Sequence, residues 1–294
     1  MIKPTRVLTA LLGLALTQAC ASATTATPTA SKPEAASHGL SRQAIPKELA
    51  DAVHRSEEIG RQLYVLDKIS SISTDVLSAK IGDLKAQALG GYLPVRESTK
   101  AGQVTNTFAV RFYTNEQPPR VKFLVRVTPD LKTTFEAPEP PEVMTPAMLV
   151  LVKARQAALN AVPKIEQALN PMLLPGEALG KSGVLVYLLA TTERPNVAVI
   201  GRHYRAVVPY GASEVSELTP LSQSVLELPT QGPAGQKLEA LVVAHWVTDY
   251  PLETHVLVSL QNHLPLLVTT RRGGWLVKGD HIEFWGPLPG KNVE

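Results

Sequence analysis

From Gly183 onward the chain breaks into a succession of short apolar runs, and this feature more than any other limits its architecture. The runs are "GVLVYLLAT", "VAVIGRHYRAVV", "SVLELP", "LEALVVAHWV", "THVLVSL", "PLLVTT", "GWLVKG" and "HIEFWG", separated by Gly, Pro and Asn. Short stretches rich in Val, Ile and aromatic residues, bounded by turn formers, read as strands, and all eight are expected to be strands. An earlier pair carries a clearer period. "VTNTFAVRFYT" alternates Val104, Phe108, Val110 and Phe112 with polar neighbours, "NEQPP" turns the chain, and "RVKFLVRVT" alternates Val121, Phe123, Val125 and Val127. A hairpin with one buried face is predicted there.

Two segments have the longer period of a helix. "PKELADAVHRSEEIGRQLYVLDKI" opens with Pro46 and sets Leu49, Val53, Ile59, Leu63 and Leu66 at helical intervals, while the serines and threonines of "SSISTDVLSAK" dilute the signal beyond it. Thr145-Pro146 can start a second helix through "AMLVLVKARQAALNAV", closed or kinked by Pro163. The expected fold class is therefore α+β, a largely antiparallel β-sheet with an N-terminal helix and a central helix. "EAPEPPEVMTP" is extended and hostile to helix, because each proline removes a donor and restricts its predecessor. Residues 138–146 are thus the expected linker between a helix-plus-hairpin region, 46–137, and a helix-plus-multistranded region, 147–289. Roughly 240 residues suffice for one large domain or two small ones. "FAVRFYTNEQPPRVKFLVRV" and "LVVAHWVTDYPLETHVLVSL" echo each other as strand, turn and strand. Two ordinary hairpins explain the echo better than a repeat.

The N-terminus gives a location. Lys3 and Arg6 precede an apolar run, Val7 to Leu16, about half the length of a bilayer-spanning helix, and small residues follow. That is the layout of an export signal, residues 1–20. The single cysteine of the chain, Cys20, ends "LTQAC", which is similar to the processing site of a bacterial lipoprotein except that Thr17 replaces the usual Leu. Lipidation of Cys20 is one reading; the other is ordinary cleavage after "ASA", which removes Cys20 with the signal. Either way the mature chain has no disulfide. Residues 21–45, rich in Ala, Thr and Pro, are expected to be a disordered tether. Loss of Lys3 and Arg6 reduces 29 basic residues to 27 against 26 acidic, a formal charge of +1. That balance supplies no basic field for nucleic acid, and few aromatic residues are present to stack on bases.

No catalytic template fits. "GEALGKS" ends like a phosphate-binding loop but has three residues between its glycines, Pro175 where a glycine is required, and a strand after it. A turn is expected there. There is no G-x-S-x-G, S-x-x-K or H-E-x-x-H. Ser259 has His255 and His263 four residues away on either side, but in a strand such residues are about 13 Å apart.

What remains is histidine. His203, His245, His255, His263 and His281 lie in the last third. If "LVVAHWV" and "THVLVSL" pair across "TDYPLE", His245 falls almost opposite His255, within about 5.5 Å. His203 could then complete a zinc site, with Asp249 or Glu253 as the supporting carboxylate. The alternative is that each histidine is a hydrogen-bonded or exposed strand residue, with no cofactor. In "GRHYR", Arg202 with Tyr204, or His203 with Arg205, could line a groove for an acidic ligand; otherwise these residues form a solvated strand face. In "LVVAHWV", Leu241, Val243, His245 and Val247 share one face and Val242, Ala244 and Trp246 the other, and both are apolar enough to be buried.

"LYVLDKISSISTDVL", the passage from "VLVYLLAT" to "GRHYR", and "THVLVSLQNHLPLLV" together resemble pieces of an uncharacterised group of exported bacterial proteins. The resemblance implies bacterial origin and no particular activity. The expectation is a cell-envelope lipoprotein facing the periplasm, a non-catalytic binding or interaction module anchored to the membrane by its lipid, whose partner is an envelope protein or small ligand. The rival is a metal-dependent hydrolase built on the histidines.

Overall fold

The computed structural model describes residues 41–99, 101–163, 168–232, 236 and 238–288. The expected export signal, Cys20 and positions 21–40 of the expected tether lie outside the described residues. Gln43, close to the end of the tether segment, donates its N–H to the carbonyl of Phe284 at 2.8 Å.

The first helix, α1 (Lys47–Ile81), buries Val53, Ile59, Leu63, Leu66, Ile69, Ser73 and Leu77 along one side. It continues twelve residues past Ile69, through the serine-rich stretch, because Ile69, Ile72, Val76 and Leu77 keep the apolar stripe intact. Thr74 Oγ1 donates back to the Ser70 carbonyl at 2.8 Å, so its hydroxyl is satisfied within the helix. Gly82 ends it with φ +79°.

Four strands follow, β1 (Leu89–Ser98), β2 (Val104–Thr114), β3 (Arg120–Val127) and β4 (Thr133–Glu136), in that spatial order and all antiparallel; β5 (Glu142–Val143) also pairs with β3. The predicted hairpin is β2 and β3, with Phe112 opposite Phe123, Val110 opposite Val125 and Phe108 opposite Val127. These side chains meet α1 in one core. β1 lies at the sheet edge, where Pro94 costs little because one side of an edge strand makes no ladder bonds.

The central helix, α2 (Pro146–Ala161), starts as expected, the Thr145 hydroxyl accepting the Met148 N–H. Its buried Ala154, Ala157 and Ala158 press on the second sheet, which is built from β6 (Leu169–Pro175) and β7 (Val184–Ala190) with, beyond β8 (Val197–Gly201), β9 (Tyr204–Val208) and β10 (Glu217–Pro220). Its order is β10-β9-β7-β6, again antiparallel. β7 is buried throughout: Val184, Val186 and Leu188 face α2, while Leu185, Tyr187 and Leu189 join the α1 core. "GEALGKS" is a 3-10 turn from Gly176 and its exit, joining β6 to β7. Among the described residues, β8 pairs with β11 (Val225–Pro229) alone.

The last unit contains the chief departure from expectation. β12 (Leu241–Ala244) and β13 (Leu266–Thr269) run parallel, and "THVLVSL" is not a strand: it lies in the crossover helix α3 (Glu253–Asn262) between them. β14 (Gly274–Lys278) and β15 (His281–Phe284) complete the order β12-β13-β14-β15. Residues 253–259 of α3 are all buried, so the segment shows no polar face to reveal its period. The echo between two hairpins disappears with it. α3 crosses α1 at Gly60, where an added Cβ would lie 2.5 Å from Val256 Cβ. The fold is α+β with one parallel strand pair in otherwise antiparallel sheets. No helix among the described residues is long and apolar enough to cross a membrane.

Candidate functional site

The three candidate histidines meet at one cleft, though not by the predicted route. β8 ends at Gly201, where φ is +133° and a Cβ would collide with the Ser224 carbonyl. The chain then reverses through Arg202, whose φ of +49° exposes its side chain while its N–H donates to Ser222 Oγ at 2.7 Å. The reversal turns His203 inward, where Nδ1 accepts the Ala190 N–H at 3.0 Å. That bond places the ring proton on Nε2 of the neutral imidazole. His245 continues β12, its N–H donating to the Thr269 carbonyl at 2.7 Å and its Nε2 lying 2.8 Å from Thr248 Oγ1. His255 stands in the first turn of α3, and its Nδ1 accepts the Leu252 N–H at 2.9 Å, satisfying one of the amides that a helix start leaves open.

The rings of His245 and His255 are edge to face with centroids 4.7 Å apart. The predicted proximity is therefore present, but it arises from a strand end facing a helix start, not from cross-strand pairing. With Ser222, Ser224 and Thr254 the three imidazoles line a cavity of about 310 Å3. Burial holds His203 and His245 down to a pKa of about 4. His255 falls to about 3, through burial first and then the neighbouring His245 and His203. All three are neutral at pH 7 and offer hydrogen bonds without charge.

The expected supporting carboxylates do not join them. Asp249 is exposed. Glu253, 2% exposed, turns away and accepts from both Arg205 Nη1 and Tyr187 Oη at 2.7 Å on the same oxygen. Among the described residues no group of three or more His, Cys, Asp and Glu side chains is placed to hold a metal ion. The Arg202, Tyr204 and Arg205 groove is not formed either. Arg202 is exposed, Tyr204 packs with the α2 core, and Arg205 points to the other face, bound to Glu253. Arg205 is thus in an internal ion pair and not on a solvated strand face. His245 is buried as expected, but the second face of β12 is not: Val242, Ala244 and Trp246 are exposed, and so is Val247 on the first.

Two of the hydroxyls near the imidazoles, those of Ser222 and Thr248, are engaged by the backbone. Thr248 Oγ1, beside His245, is also 2.5 Å from the Tyr250 carbonyl and closes a turn. Ser259 lies on a helix and not a strand, and its hydroxyl spans the Leu264 and Val277 carbonyls and the Gly279 N–H. The arrangement offers hydrogen bonds, without charge, to a polar group. The Tyr187–Glu253–Arg205 cluster was invisible in the sequence because its members lie 48 and 66 positions apart. Compared with protein-family models, curated proteins and solved structures, the chain matches none.

Proposed function

We propose that this chain is a bacterial cell-envelope lipoprotein, anchored through Cys20 to the outer membrane and facing the periplasm, that acts as a non-catalytic binding or interaction module. If processing follows "ASA" instead, the same module is soluble in the periplasm. The observation that carries the binding reading is the cleft: three neutral imidazoles and several hydroxyls around about 310 Å3, each imidazole oriented by a fixed hydrogen bond. Such a surface recognises hydrogen-bonding groups of a small ligand or a partner chain and discriminates by geometry instead of by charge. The anchoring reading rests on "LTQAC" and the Ala/Thr/Pro tract after it, and the outer-membrane destination on Ala21, which stands where inner-membrane retention is associated with an aspartate.

Native mass spectrometry of protein purified from envelopes tests both parts. The anchored form has a mature N-terminus at Cys20 carrying acyl chains, and an unmodified terminus at Thr24 refutes it. A bound ligand appears as excess mass that Ser224→Trp, which fills the cleft, abolishes. A protein with no such adduct, whose Ser224→Trp variant folds and behaves identically in the envelope, refutes the cleft as the binding site.

A further inference from the structure

A second cavity, remote in character from the histidine cleft, opens where three parts of the core fail to close on each other. It measures about 570 Å3 and lies between α1, β1, β2, α2 and β6, with Leu66, Leu93, Phe108, Leu151, Leu173 and Leu174 among its walls. Interiors are normally filled to crystal-like density. An apolar hole of about 150 Å3 already takes up benzene, and this one is several times larger.

Its mouth has a distinct chemistry. Val65 and Tyr210, 39% and 58% exposed, continue the apolar lining outward to solvent. Two arginines, Arg61 and Arg96, both exposed, are among the lining residues, and no carboxylate is. Arg96 is held over the Phe108 ring at 4.9 Å and donates to Asn106 Oδ1 at 2.8 Å, a neutral acceptor. The adjacent Glu97 is occupied by Arg126 at 2.7 Å, so among the described residues Arg96 has no carboxylate partner. Arg61 reaches Asp280 at 3.3 Å across an exposed pair, an interaction that water and salt weaken and an incoming anion can replace.

We infer that this cavity binds a single-chain anionic amphiphile, the alkyl chain lying along Leu66, Phe108, Leu151 and Leu173 and the anionic head meeting Arg96 and Arg61. An apolar chain gains about 0.8 kcal/mol per methylene removed from water, which drives entry. The guanidiniums, on exposed residues, set the polarity of insertion and select a charged head over a neutral one. The volume suits one chain, and the occupant is the free monomeric amphiphile, not the surface of a bilayer.

The test uses the full-length chain carrying Cys20→Ala, so that no acyl group of its own competes. Dansyl-labelled undecanoate is titrated in, then displaced with hexadecanoate, with hexadecyl maltoside as the neutral analogue, and with phosphatidylglycerol vesicles. Saturable binding of the probe, displacement by hexadecanoate at least about tenfold more potent than by the maltoside, and no response to vesicles are expected. Arg96→Glu, at an exposed position that leaves the core intact, weakens hexadecanoate by about tenfold or more and leaves the maltoside unchanged, whereas Arg96→Lys restores binding. Absence of saturable binding, equal displacement by neutral and anionic chains, indifference to Arg96→Glu, or binding to vesicles alone each overturns the proposal.

Discussion

Lowering the pH from 7.5 to 5.0 should remove a large part of the folding stability, and three residues account for it. His203 and His245 titrate near 4 and His255 near 3 in the folded chain, against 6.5 for an unperturbed imidazole. In every case burial is the first cause, so the folded state keeps the neutral ring while the unfolded chain takes up a proton. Between pH 6.5 and 4 the unfolded state thus binds more protons, and stability falls as pH falls through that window; above it the contribution is complete. At pH 5.0 linkage gives a loss of about 2 kcal/mol for each histidine, or about 6 kcal/mol for the three. A domain has only about 5–15 kcal/mol to lose. Urea unfolding at the two pH values, followed by circular dichroism, measures the difference directly. His255→Gln should shrink the pH-dependent loss by about 2 kcal/mol, and the triple glutamine variant should nearly abolish it. An unfolding free energy equal at both pH values, or a triple variant as acid-sensitive as the natural chain, would refute the reasoning.

His245→Gln and His255→Gln remove rings that touch, so a double-mutant cycle should show a coupling of about 0.5–3 kcal/mol, and a chelator should leave the melting temperature unchanged; a chelator-induced drop that vanishes in either variant would establish a metal site. Glu253→Ala removes the acceptor of a half-buried Arg205 and a buried Tyr187 and should cost about 3–5 kcal/mol in urea unfolding, near what breaking one half of a buried pair does. Gly60→Ala forces α1 and α3 apart at their closest approach, and calorimetry should show a loss of about 1–3 kcal/mol despite the better helix propensity of alanine.

What the sequence made legible follows the distance over which each signal acts. The β2–β3 hairpin was readable because alternation in Phe108–Phe112 and Phe123–Val127 is local, and the α2 start was readable because Thr145 caps the next turn. α3 was misread because a helix buried on all sides loses the polar stripe that marks its period, and its valines imitate a strand. The histidine cleft was reached through the wrong geometry. His245 and His255 do meet, yet the parallel pairing of β12 with β13 comes from a crossover that ten residues of pattern could not disclose. Arg205 and Glu253 each stand out in the sequence, but their pairing depends on β9 passing the start of α3, a tertiary fact with no sequence period.

The long first helix is closed by the last strands. Glu57 Oε1 accepts the N–H of Ile282 at 2.7 Å, across 225 positions, and Val53 shares a core with Trp275, Ile282 and Phe284. Ribosomes add about 5–20 residues per second, so roughly 10–45 s separate the synthesis of α1 from that of the strands that cover it. During that interval an amphipathic helix with an unpaired apolar stripe has no native partner on one side, and contacts this distant in sequence form slowly. The newborn chain is therefore a natural client for holdase chaperones, and the stretch they shield is the helix that later joins the two ends of the fold.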